Sequence, residues 1–156
     1  GAIENIELPH HRMNLLRGIK GTEIIDDTYN ASPLSMHAAL DILRDLAKAR
    51  SELGQKGRRV AILGDMRELG KYEVDAHRAI GNLAAERCDF LVTVGVAGKL
   101  IADSALNQMA KENIVSFNTS DEAKLKVQEI VQKGDTVLVK GSRSMKMEKI
   151  VDEIVA

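Results

Sequence analysis

The chain has 156 residues, 44% of them apolar and 29% charged; this is ordinary usage for one globular domain and excludes a disordered tail or a fibrous repeat. Its 22 basic and 23 acidic side chains leave a formal charge of −1, so no global field gathers nucleic acid or an anionic membrane, and any anion site is local. A lone cysteine, Cys88, and four scattered histidines exclude an internal disulfide and offer no zinc spacing, which suits a reducing cytoplasm.

Gly1-Ala2 opens the chain at a polar edge without a methionine, as expected of a domain excised from a longer protein, and no charged-then-apolar leader follows. Apolar runs reach only about four residues, as from Val60 to Leu63, against the roughly 20 needed to cross a bilayer; a soluble, cytoplasmic protein without membrane insertion is expected. After a candidate strand over 3–8, short β-branched runs alternate with segments of helical period. They predict strands over 23–26, 59–63, 90–94, 113–117 and 136–139, and hence five βα repeats around a mostly parallel sheet of five to six strands with helices on both faces. A first helix over 33–50 places Met36, Ala39, Leu40, Leu43, Leu46 and Ala47 on one stripe, with Pro33 in its first turn. A polar connection over 51–57 follows. A helix over 120–132 is bounded by a Thr119/Glu122 capping box and by Gly134 as a left-handed cap, with Ala123, Val127, Ile130 and Val131 inward. The last helix buries Met147, Ile150, Val151 and Ile154. Tyr29, Tyr72, Phe90 and Phe117 are too few and too dispersed for a base-stacking platform.

In an open parallel sheet, ligands bind beyond the carboxyl ends of the strands, where loops diverge and helix N-termini present free N–H groups. Those ends carry Asp26-Asp27-Thr28-Tyr29-Asn30, Gly64-Asp65-Met66-Arg67-Glu68-Leu69-Gly70, Gly95 and Lys140-Gly141-Ser142-Arg143-Ser144. In the last, glycine lets backbone N–H groups approach an oxyanion while Lys140, Ser142 and Arg143 add donors and charge; the alternative is a turn in which Ser142 or Ser144 merely caps a helix. Asp26-Asp27 suits a ribose hydroxyl, a metal, or a solvated turn. The loop after Asp65 is long for a βα connection, and long loops on this edge tend to be functional. His10, His11 and Arg12 suit either a nucleotide phosphate or a solvated terminal segment. His37 and His77 fall inside helices and read as surface or core packing. Gly95-Val96-Ala97-Gly98-Lys99 lacks the spacing of a phosphate loop, and no G-x-G-x-x-G follows the first strand.

Taken together, Asp26 to Met36, Leu63 to Gly70 and Val139 to Met145 resemble the C-terminal domain of Mur ligases in order, spacing and strand-end placement over nearly the whole chain. Within that family the resemblance is strongest to the member that adds D-alanyl-D-alanine to UDP-N-acetylmuramoyl-tripeptide in peptidoglycan precursor synthesis. It implies a Rossmann-like lid that closes over ATP and Mg held mainly by a central domain, in an ATP-dependent amide ligation through an acyl phosphate that must be kept from water. It further implies that Asp27 binds the ATP ribose, that Asn30 and Arg12 lie near the nucleotide, and that Lys140, Ser142 and Arg143 face the incoming dipeptide, with the Asp65 loop lining the substrate side. The family's Asn-Ala-Asn-Pro reads Asn30-Ala31-Ser32-Pro33 here, and its Gly-Thr-Asn-Gly-Lys-Thr phosphate loop is absent. No residue is expected to be a catalytic group or a metal ligand, and the chain alone is expected to be inactive.

Two other classes fit parts of the pattern. A phosphorylatable receiver module would also use strand-end aspartates, a threonine and a lysine, but its acceptor aspartate ends the third strand, where this chain has Gly95. A stand-alone nucleotide- or peptide-binding module would bind ATP or the dipeptide without a second domain.

Overall fold

The computed structural model describes residues 11–156; the candidate strand over 3–8 and His10 lie outside the described residues. Among these, β1 (Asn14–Arg17), β2 (Glu23–Asp27), β3 (Arg59–Gly64), β4 (Phe90–Val94), β5 (Ile114–Phe117) and β6 (Thr136–Lys140) form one sheet in the order β1-β2-β6-β3-β4-β5. Only β1 is antiparallel to its neighbour. It is an edge strand with alternating burial and an exposed Leu15, too short and too polar to be read from periodicity, and sequence reasoning missed it.

The helices are α1 (Pro33–Glu52), α2 (Glu73–Arg87), α3 (Gly98–Ala105), α4 (Ser120–Lys124), α5 (Val127–Ile130) and α6 (Glu148–Ile154). Successive strand residues face opposite sides, and the core divides accordingly. Ile25, Ala61, Leu63, Leu91 and Leu138 pack with α1 to α3 on one face; Ile24, Val60, Ile62, Val92, Val137 and Val139 pack with α4 to α6 on the other. Each fully buried Leu or Ile contributes about 1.5–3 kcal/mol. The steps β2 to β3 to β4 to β5 run in one direction with their helices on the first face, and the return to β6 uses the second. Right-handed crossovers require that change of face when the direction of travel reverses. The return inserts β6 between β2 and β3.

α1 starts as its sequence demands: the Ser32 hydroxyl accepts the Ser35 N–H at 3.1 Å, Ser35 Oγ accepts the Ser32 N–H at 2.9 Å, and Pro33 occupies the first turn. Met36, Ala39, Leu40 and Leu43 are buried as their spacing predicts, while Leu46 and Ala47 are only half-buried. The expected single helix over 120–132 is instead two short ones. Around Leu125 the bonds tighten to i→i−3, from Leu125 N–H to the Glu122 carbonyl and from Lys126 N–H to the Ala123 carbonyl, and Leu125 is left exposed while Ala123, Val127 and Val131 stay inward. Thr119 caps α4, but the Glu122 carboxylate reaches the Asn118 N–H, one residue before the cap. Gly134 is left-handed (φ +79°), yet it sits in the turn that enters β6, beyond the extended Val131 that ends α5. The α6 stripe of Met147, Ile150, Val151 and Ile154 is buried as expected.

Candidate functional site

Register brings the three polar clusters together. On the central strands Asp27 of β2 lies opposite Lys140 of β6, and Lys140 lies opposite Leu63 of β3, so the segments after Asp27, Lys140 and Gly64 leave the sheet side by side on its carboxyl edge. An open cavity of about 400 Å³ there is lined by Arg12, Asp27, Tyr29, Asn30 and Lys140, among others. It shares Asn30, Ala31 and Ser32 with a neighbouring cavity of about 500 Å³ that reaches Arg67, Ser142 and Arg143.

The first cavity is built on a buried ion pair. Lys140 Nζ donates to Asp27 Oδ2 at 2.8 Å and to the Asn30 carbonyl at 2.9 Å; Asp27 Oδ1 accepts the Met13 N–H at 3.2 Å. With Lys140 2% exposed and Asp27 8%, the ammonium forms the floor of the cavity and does not project into solvent, where the resemblance had placed it toward a dipeptide. Asp27 retains lone pairs on the cavity side, since a carboxylate has about four acceptor sites. Asp26 turns away: its Oδ2 meets His11 Nδ1 at 2.6 Å, and its Oδ1 accepts the Thr28 hydroxyl at 2.7 Å. His11 and Met13, both at positive φ, bracket Arg12, and the Tyr29 N–H donates to the His11 carbonyl at 3.0 Å. These contacts clip the segment carrying Arg12 onto the strand end. Arg12 Cζ lies 4.0 Å from the Tyr29 ring centroid and Arg143 Cζ 4.9 Å from it.

Other expectations change in detail. Gly141 is buried with its Cα against Gly64 and Met147, where a Cβ would come within 2.8 Å of Met147 Cγ; its missing side chain serves strand packing. The Ser142 N–H is already donated to the Asp65 carbonyl at 2.8 Å, and Ser142 itself is 2% exposed, so the turn presents Arg143 and Ser144 outward and does not offer that N–H to an oxyanion. Neither serine hydroxyl caps the short turn that follows. Asp65 is also an anchor: 4% exposed, its Oδ1 accepts the Gly98 N–H at 2.7 Å, tying the end of β3 to the start of α3, while Arg67 approaches its other oxygen at 3.8 Å. His77 is fully buried, accepting the Met66 N–H through Nε2 at 3.0 Å and bonding the Glu73 carbonyl through Nδ1, the core reading of the two offered. His37 is exposed beside Asp41, one turn on, a spacing that sequence reasoning overlooked.

Sequence reasoning did not single out Tyr29 as more than part of a motif, nor the half-buried Arg58 and its buried partner Asp135 at the opposite edge, where Asp135 accepts from Arg58 and from the Gln132 N–H. Among the described residues no three His, Cys, Asp or Glu side chains converge as a metal site. No helix among them is long and apolar enough to cross a membrane.

The family described as Mur ligase, glutamate ligase domain, matches residues 11–143. The UDP-N-acetylmuramoyl-tripeptide–D-alanyl-D-alanine ligase of Bacillus subtilis is 32% identical over 98% of this chain and 32% of its own length; its Mycobacterium leprae counterpart is 33% identical over 93% of this chain and 30% of its own. Among solved structures, MurF from Acinetobacter baumannii superposes with a TM-score of 0.71 at 31% identity, and MurF ligase from Thermotoga maritima in complex with ADP with 0.71 at 26%, each over 96% of this chain and 31% of the other. The chain thus spans about a third of the length of these relatives. With the family matched over residues 11–143, this chain belongs to the Mur ligases and is their C-terminal, glutamate-ligase domain.

Proposed function

We propose that this domain is the closing lid of a cytoplasmic, ATP-dependent ligase that adds D-alanyl-D-alanine to UDP-N-acetylmuramoyl-tripeptide during peptidoglycan precursor synthesis. The observation that carries the reading is a pair of neighbouring cavities that share Asn30, Ala31 and Ser32 on one rim, the first floored by Asp27 and Lys140 and the second walled by Arg143. In the proposed reaction the tripeptide carboxylate attacks the γ-phosphorus of ATP and expels ADP. The dipeptide amine then attacks the acyl carbon of the resulting acyl phosphate, and phosphate leaves with loss of a proton from nitrogen. Closure excludes water from that intermediate.

In this reading Asp27 accepts a ribose hydroxyl, Arg12 and Asn30 flank the nucleotide, and Arg143 with Ser144 faces the dipeptide, on a turn that the buried Ser142 ties to Asp65. Lys140 acts from below by holding Asp27 and the Asn30 carbonyl in place, and Asp65 holds the loop that carries Arg67. ATP, the dipeptide and the UDP-linked tripeptide are completed by the rest of the enzyme, and neither nucleic acid nor membrane is a partner. The test is steady-state kinetics of the full-length enzyme containing this domain. Arg12→Met is expected to raise the ATP KM about tenfold and Arg143→Met the dipeptide KM by a similar factor, each being one charge-assisted contact worth about 1.5 kcal/mol. Unchanged KM values in both variants would remove this rim from the substrate sites.

A further inference from the structure

Tyr29 joins neither apolar core among the described residues. Its ring is half-buried, its backbone is fixed by the bond to His11, and two exposed guanidiniums lie on it, Arg12 at 4.0 Å and Arg143 at 4.9 Å from the centroid. Two arginines this close repel each other and, at the surface, each has ample rotamer freedom to lose. The negative face of an aromatic ring offsets the repulsion and restricts both side chains. The two cations also belong to different cavities: Arg12 lines the one floored by Asp27 and Lys140, and Arg143 the one beyond Ser32.

On the basis of the function proposed above, we infer that Tyr29 is a positioning residue that holds the nucleotide-side arginine and the dipeptide-side arginine in register, so that each substrate site is pre-organised by the same ring. The ring face does this, and the phenol hydroxyl is not required. Tyr29 touches no reacting atom in this scheme; it acts through Arg12 and Arg143. Occupancy of one cavity then fixes the arginine of the other, which couples the affinities of the two substrates reciprocally.

The experiment is kinetics of the full-length enzyme with ATP and D-alanyl-D-alanine varied separately, for Tyr29→Leu, Tyr29→Phe, Arg12→Met, Arg143→Met and the double variants. Tyr29→Leu is expected to raise both KM values about fivefold, the scale of an exposed cation–π contact, and Tyr29→Phe to return both to within about twofold of the parent. Adding Tyr29→Leu to Arg12→Met leaves the ATP KM where Arg12→Met alone put it. Thermal midpoints are expected to stay at the parent value throughout, which a merely structural role would not allow. A rise in only one KM, full additivity with the arginine variants, or a Tyr29→Phe as impaired as Tyr29→Leu would overturn the inference while leaving the site reading intact. Parent KM values in both single arginine variants would overturn the site reading, and the inference with it.

Discussion

Replacing Lys140 by alanine removes the Nζ that donates to Asp27 Oδ2 at 2.8 Å and to the Asn30 carbonyl at 2.9 Å. What remains is a carboxylate 8% exposed that still accepts the Met13 N–H at 3.2 Å, together with a carbonyl deprived of a charged donor. Breaking one side of a buried pair costs about 3–5 kcal/mol, because the surviving charge is left uncompensated. In a domain of this size each kcal/mol lowers the thermal midpoint by about 2–4 °C, so Lys140→Ala is expected to melt about 10 °C early. Removing both charges is far milder: Asp27→Asn with Lys140→Met leaves no buried ion and keeps most of the volume, at about 1–2 kcal/mol. The double-mutant cycle completed by the single variants Asp27→Asn and Lys140→Met should therefore show a coupling of about 2 kcal/mol or more. Urea unfolding followed by circular dichroism, with the m-value checked for constancy, measures all four corners. A Lys140→Ala cost under about 1 kcal/mol, or single costs that simply add, would refute the argument that the pair is desolvated and mutually dependent.

Two further expectations concern the frame of the site. Gly95 has φ +104°, and a Cβ there would stand 2.4 Å from Asp65 Oδ1, so Gly95→Ala should displace the Asp65 carboxylate from Gly98 and destabilise the domain by about 2–4 kcal/mol in the same urea assay; a neutral substitution would show that this anchor is dispensable. Burial pushes the Cys88 thiol from 9.0 up to about 12, with the nearby Arg59 opposing. The folded state thus keeps its proton after the unfolded chain has lost it: this group leaves stability unchanged below about pH 9 and lowers it as pH rises toward 12. Native Cys88 should resist alkylation at neutral pH, and Cys88→Ala should flatten the alkaline loss of stability; parallel losses in parent and variant would contradict the assignment.

Much of the architecture was legible because it is local. Short β-branched apolar runs located the five parallel strands within a residue or two, and Ser32, Pro33 and the spacing of Met36, Ala39, Leu40 and Leu43 located α1. Where the sequence signal failed, a nonlocal demand had intervened. The helix over 120–132 breaks where the Leu125 and Lys126 N–H groups bond three residues back and Leu125 is turned out to solvent, although Ala123, Val127 and Val131 keep a helical spacing toward one core, and β1 pairs with the free edge of β2. The same holds for Gly134, whose left-handed backbone was correctly anticipated but serves the turn into β6 and no helix end.

The chain by itself determined the chemistry on offer: acidic, arginine-bearing and lysine-serine clusters at strand ends, an ordinary core, and a resemblance carried by their order. Only the tertiary structure decided how those groups address one another. The last strand enters between the first and second parallel strands, and that insertion, which no periodicity encodes, sets Lys140 directly opposite Asp27. Two charges that read as separate ligand contacts become one buried pair, since desolvation makes each the other's necessary partner, while the surrounding turns leave Arg12 and Arg143 exposed on Tyr29.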